Sequence, residues 1–197
     1  MKRAICILAC VLSVGCGERS SSRQPGQAAE AAHRAGREQA SDPIEKGLAE
    51  QIAAVEAGES NEIRAASHPA TDEDLAAIGR LASLERLNLG NGQFTEQGLA
   101  QLRGLNRLEL LRIRAPGLTD AALAEIAQLP SLRFLHLIDV PVTDAGIAHL
   151  HSMTGLESLY LDGGRATDAG LQSLLEALPT LHFHRDQLHL PHDPHAD

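Results

Sequence analysis

Five threonines, Thr71, Thr95, Thr119, Thr143 and Thr167, stand 24 residues apart along this chain. An acid follows each of them (Asp72, Glu96, Asp120, Asp144, Asp168), and four residues past each threonine lies Leu75, Leu99, Leu123, Ile147 or Leu171. A fixed period narrows the fold more than composition does, because every copy must bury the same face against the next. Reading backwards from the threonines, Leu84, Leu87 and Leu89 return as Leu108, Leu111 and Ile113, then as Leu132, Leu135 and Leu137, then as Leu156, Leu159 and Leu161. The spacing is L-x-x-L-x-L, and its alternating second half sets two side chains on one face of a short strand. A turn rich in Gly and Pro comes next. Threonine followed by an acid then reads as a helix start, the hydroxyl accepting an orphan amide N–H and the carboxylate suiting the positive helix end. Leu123, Ile126 and Leu129 follow at helical spacing, as do Leu99, Leu102 and Leu105. Each unit is one strand plus one short helix.

Thr143-Asp144-Ala145-Gly146-Ile147 and Thr167-Asp168-Ala169-Gly170-Leu171 resemble the T-D-x-G-L variety of the bacterial leucine-rich repeat family, similar to the ribonuclease-inhibitor type. The resemblance covers about residues 60 to 187 and implies an α/β fold, a right-handed solenoid of strand-helix units with a parallel sheet on the concave face. It departs from the family where Asn or Cys often follows the last strand leucine by three: here stand Gly92, Pro116, Val140 and Gly164. With no asparagine ladder, the turn amides must find backbone or water partners.

Residues 1–15 read as a signal peptide: Lys2 and Arg3, then an apolar run from Ile5 to Val14. That run is too short to span a bilayer as a helix. Ser13-Val14-Gly15-Cys16 resembles a bacterial lipobox, with Leu12 one place early, which implies cleavage before Cys16 and a lipid on its sulfur. An ordinary secretory signal cut near the same site is the alternative. All three cysteines, Cys6, Cys10 and Cys16, fall in this segment, so a lipidated mature chain would hold no free thiol and no disulfide. Cleavage would take the net charge from −9 to −11, leaving the acyl chains, palmitate among them, to hold the membrane. Residues 16–40 have almost no large apolar side chain and read as a flexible tether reaching about 25 to 30 Å. Residues 41–58 read as an N-terminal capping helix, started by Ser41-Asp42-Pro43 and carrying Ile44, Leu48, Ile52 and Val55 on one face. Repeats occupy 59–187, opening with a degenerate strand at Glu62–Ala66, and a loose His-rich tail fills 188–197.

An acidic chain disfavours nucleic acid, which is bound by basic surfaces. No nucleophile elbow, phosphate loop or zinc-protease motif is present, so the expected protein is not an enzyme and needs no cofactor. The outward strand positions line the concave face. One column reads Arg64, Asn88, Arg112, His136, Tyr160 and Arg185, the next Glu62, Arg86, Leu110, Phe134, Ser158 and Phe183, and the third Ala66, Gly90, Arg114, Ile138, Asp162 and Gln187. This alignment gives the last repeat one extra residue, puts His184 at a core position and sets three of the four aromatics on the sheet face. Arginine and aromatic residues at a surface centre are typical anchors. Arg112, Arg114, Phe134, His136 and Tyr160 are therefore the expected protein- or peptide-binding residues, in a lipid-anchored envelope protein on the periplasmic or surface side of a bacterial membrane. Two alternatives stand beside this: metal binding by His182, His184, His189, His192 and His195, whose spacing fits no closed motif, and a structural envelope component with no specific partner.

Overall fold

The structure, a computed structural model, describes residues 47–186 and the backbone of Leu188–His189. Helix α1 (Leu48–Glu56) opens it, followed by β1 (Glu62–Ala65), α2 (Asp72–Ile78), β2 (Arg86–Leu89), α3 (Glu96–Ala100), β3 (Leu110–Arg114), α4 (Ala121–Ile126), β4 (Phe134–Ile138), α5 (Asp144–Ala148), β5 (Ser158–Asp162), α6 (Asp168–Ala177), β6 (His182–Arg185) and β7 (Leu188–His189). Single 3₁₀ turns, Gln101–Gly104 and His149–Ser152, continue α3 and α5. The signal peptide, the tether, the proposed helix start at Ser41–Pro43 and the end of the tail lie outside the described residues.

The seven strands form one sheet in sequence order, β1 to β6 parallel and β7 antiparallel to β6. Each parallel register steps by the repeat length, as in Leu87↔Leu111, Leu111↔Leu135 and Leu135↔Leu159. The leucine triplets point inward: Leu84, Leu87, Leu89, Leu108, Leu111 and Ile113 are wholly buried, and so are Leu75 and Ile147 from the helices. One continuous apolar stack results, capped at the front by Leu48 and Val55 of α1.

Two end devices close the sheet. At the front, the Gln51 side chain takes the place of a neighbouring strand: its Nε2 donates to the Arg64 carbonyl and its Oε1 accepts from the Arg64 amide, both at 2.6 Å. At the back, the chain turns at Asp186 (φ 47°), and Leu188–His189, assigned above to the loose tail, pair with Arg185 and His184.

The last parallel strand corrects the sequence reading. Tyr160 pairs with His184 and Leu159 with Phe183, so the frame runs through with no extra residue. Phe183 is fully buried and fills the core position, whereas His184 and His182 take the concave places assigned to Arg185 and Phe183. Two of the four aromatics, Phe134 and Tyr160, therefore stand on the concave columns. The Arg185 side chain reaches Asp168 Oδ1 at 2.5 Å and the Ala166 carbonyl, while its backbone stays in β6.

The acids after the threonines stand at the helix starts as expected, and the first four also tie their repeat to the following one. Thr95 donates its amide (2.7 Å) and its hydroxyl (2.8 Å) to Asp72, and Thr143 and Thr167 do the same with Asp120 and Asp144. Thr119 sends both to one oxygen of Glu96. The threonine oxygens meanwhile cap their own helices, as in Gly170 N–H to Thr167. Thr71 has no preceding repeat, and Asp74 of its own helix receives its amide and hydroxyl instead. Asp168 has no following threonine and takes Arg185.

This spine explains the glycine of the motif. A Cβ at Gly98, Gly146 or Gly170 would lie 2.2 to 2.5 Å from the Oδ1 of the preceding Asp72, Asp120 or Asp144. Where the preceding acid is the longer Glu96, the equivalent residue is Ala122. The turns, lacking the asparagine ladder, are served largely by backbone: Gly92 N–H donates to Arg114 O and Asp139 N–H to Asp162 O, both at 2.8 Å, while Gly163 N–H donates to the Asp186 carboxylate.

Candidate protein-binding face

Parallel pairing sets the outward side chains of neighbouring strands side by side, about 4.8 Å apart. One concave row runs Arg64, Asn88, Arg112, His136, Tyr160, His184, and the next Glu62, Arg86, Leu110, Phe134, Ser158, His182. Within the first row Arg112 Nε–H donates to His136 Nδ1 at 3.3 Å. That assigns the imidazole proton to Nε2, which donates to Asp162 Oδ2 at 2.9 Å. His136 lies against Tyr160 (centroids 5.3 Å apart), and Tyr160 stacks on His184 at 4.3 Å with the rings 7° from parallel. His184 in turn meets His182, their Nε2 atoms 2.6 Å apart, one donating and the other accepting.

The face changes character along its length. At the β4–β6 end the aromatic and histidine rings pack on one another, with Tyr160, His182 and His184 buried. Toward β2 and β3 the packing opens. The Arg86 side chain is exposed and makes no ion pair or hydrogen bond among the described residues, and Leu110, Phe134 and Ile138 are half-buried. Arg112 is half-buried too; burial pulls its guanidinium below the ordinary arginine value, the Asp162 charge working against that. Asn88 is almost fully buried, its Oδ1 without a hydrogen-bond partner. Arg64 is paired with Glu62 at 2.5 Å, and Arg114 with Asp139 at 2.6 Å. Asp139 holds its place in the left-handed region (φ 53°), which aspartate tolerates. Because Ala66 and Gly90 are small, an open hollow of about 470 Å³ lies between Ser67, Asn91, Pro116 and Arg114.

Of the residues singled out by sequence, Arg112, His136 and Tyr160 form one contiguous chain. Phe134 sits one row over beneath the Arg133 guanidinium, 5.3 Å from its ring centroid, and Arg114 stands at the rim. The sequence selection missed Asp162, His182, His184 and Arg86; a strict count of one period on from Tyr160 reaches His184. Of the five histidines considered for metal, only His182 and His184 are seen to meet. The side chain of His189, together with His192 and His195, lies outside the described residues. Among the described residues no three His, Cys, Asp or Glu side chains are grouped to hold an ion.

No protein-family model and no curated protein matches the chain. Solved structures do. The leiomodin-1 actin-binding site 2 shares 15% identity over 70% of this chain and 90% of its own, with a TM-score of 0.54. That superposition and the six in-register parallel strands alternating with helices decide the architecture. The fold is a leucine-rich repeat solenoid. Two further matches to this solenoid are the Mex67:Mtr2 subunits of Chaetomium (13% identity, 76% of this chain, 96% of that one, TM-score 0.41) and an internalin, inlF, of Listeria monocytogenes (18% identity, 76% of this chain, 52% of that one, TM-score 0.37). The described solenoid contains no helix long and apolar enough to cross a membrane.

Proposed function

We propose that this chain binds a protein or peptide through the concave sheet, without catalysis, as a lipid-anchored component of the bacterial cell envelope. The observation that carries the binding reading is the open β2–β4 part of the face, where half-buried Leu110 and Phe134 stand beside Arg86 and Arg112. A sheet face with apolar and arginine side chains left to solvent is a typical interface centre. The leiomodin-1 match bears an actin-binding designation, which is compatible with such use of the fold but gives no ligand for this chain. Pull-down with the full chain, against a variant carrying Arg112→Ala, Phe134→Ala and Tyr160→Ala, tests the reading; the variant loses the partner, and equal recoveries would remove its support. The anchor rests on the lipobox-like Ser13-Val14-Gly15-Cys16, so labelled palmitate enters the wild type and not Cys16→Ser. Equal labelling of the two would exclude lipidation at that sulfur.

A further inference from the structure

We infer that the occupant of this face is an extended acidic peptide segment that crosses β2, β3 and β4, its carboxylates over Arg86 and Arg112 and an apolar side chain over Leu110 and Phe134. The inference rests on the concave-binding reading and adds the chemistry of the partner. Six side chains make the patch, in two rows of three: Arg86, Leu110, Phe134 and Asn88, Arg112, His136. Charge is the first argument. The chain carries a formal −9, yet Arg86 makes no ion pair among the described residues, its row neighbour Glu62 being taken by Arg64, and Arg114 is neutralised by Asp139.

Unmet hydrogen-bonding capacity is the second. Arg112 is half-withdrawn from water, and its one hydrogen bond among the described residues goes to an uncharged imidazole nitrogen, leaving both Nη groups without an acceptor there. A guanidinium in that condition has lost hydration without a carboxylate in hydrogen-bond contact among the described residues, Asp162 being bonded to His136 and acting on it only from farther off, so a bidentate acid from outside restores what folding removed. The Asn88 side chain, beside it, has an Oδ1 without a hydrogen-bond partner among the described residues. Its amide N–H₂ adds a second donor. A bare phosphate would satisfy the arginines but leave Leu110 and Phe134 wet, and a nucleic acid would bring a dense negative charge against an acidic molecule. A short segment mixing acids with Leu- or Phe-like residues meets both demands.

The test is selection of a displayed random-peptide library on the full chain, followed by affinity measurements on the enriched peptides. Expected are sequences in which Asp or Glu flanks an apolar residue, whose affinity falls about tenfold with Arg112→Gln or Arg86→Gln and weakens as salt rises. Circular dichroism melts confirm that these exposed or half-buried variants fold. Enriched peptides with no acid bias that are lost on Leu110→Ser or Phe134→Ser would overturn the acidic partner and leave concave binding standing. Acidic peptides displaced as well by inorganic phosphate as by one another would show recognition of an anion alone and also overturn it. Peptides indifferent to every concave substitution, or no enrichment at all, would overturn both readings.

Discussion

The helix-side column and the concave column of this solenoid share one 24-residue period and differ in what they do with it. On the helix side the same chemistry recurs at every step: threonine amide and hydroxyl to the acid of the preceding repeat, then threonine oxygen to its own helix. On the concave side no two successive residues match, from Arg64 through Asn88, Arg112, His136 and Tyr160 to His184. Repetition marks the positions that hold repeats together, because each must present the same groups to an identical neighbour. Variation marks positions free of that duty. The difference separates the acids of this protein into structural ones, such as Asp120, and one, Asp162, that sits in the variable face holding His136.

The largest expected effect comes from breaking what both columns share. Leu135→Asp places a carboxylate where the side chain is 1% exposed between stacked strands, costing about 4 kcal/mol or more, and the circular dichroism signal should be that of an unfolded chain. A cooperative melt at the wild-type temperature would contradict the stacking.

Next in size is the spine itself. Gly146→Ala drives a methyl into Asp120 Oδ1 and should lose about 1 to 3 kcal/mol. Adding Asp120→Glu recreates the Glu96–Ala122 combination already present one repeat earlier and should recover part of that loss in a double-mutant cycle. Strict additivity would show that the pairing of Asp with Gly and of Glu with Ala in this chain is accidental.

Acid should loosen the spine. Hydrogen bonds from Thr119 hold Glu96 below its ordinary value of 4.5, and those from Thr167 hold Asp144 below 3.8. For Asp120 and Asp74 burial pushes upward, and bonds from Thr143 and Thr71 more than offset it. Groups depressed in the folded state contribute stability that is complete above their unfolded values and lost as pH falls through the folded ones. The melting temperature should therefore hold at neutral pH and drop as pH falls below the ordinary carboxylate range, and Asp144→Asn should flatten that drop. An unchanged acid limb in that variant would remove its carboxylate from the account.

The smallest effect belongs to the variable face. Arg112→Gln should alter stability by no more than about 0.5 kcal/mol, since it gives up one long hydrogen bond and a distant attraction to Asp162 while relieving the desolvation of a half-buried charge. A loss comparable to that of Gly146→Ala would mean that the concave row is structural after all.

Most of the fold was readable because apolar periodicity is redundant: four leucine triplets and five threonines all report the same frame, and the weak strand at Glu62–Ala65 follows from it. The final repeat misled because Phe183 and His184 are adjacent and of similar bulk. Treating His184 as the inward residue required an extra position, whereas the buried Phe183 keeps the count. The bridging role of the acids escaped because helix-start chemistry already accounts for an aspartate after a threonine. The informative signal was the residue three past the next threonine, glycine after Asp and alanine after Glu. On the face, sequence singled out Arg112, Arg114, Phe134, His136 and Tyr160 but passed over Arg86 and Asp162, though both stood in its columns, and left His182 off the face; the importance of Asp162 and His182 comes from proximity across strands.

The amide of Gln51 has a wider meaning. A molecule sliced into interchangeable layers has no internal reason to stop, and its first layer could recruit a sister molecule as readily as its own second layer. Gln51 occupying both hydrogen-bonding groups of Arg64, with the Ser60 hydroxyl doing the same for Glu62, turns that sticky end into a blunt one, so among the described residues discreteness depends on two polar side chains standing where a further strand would pair.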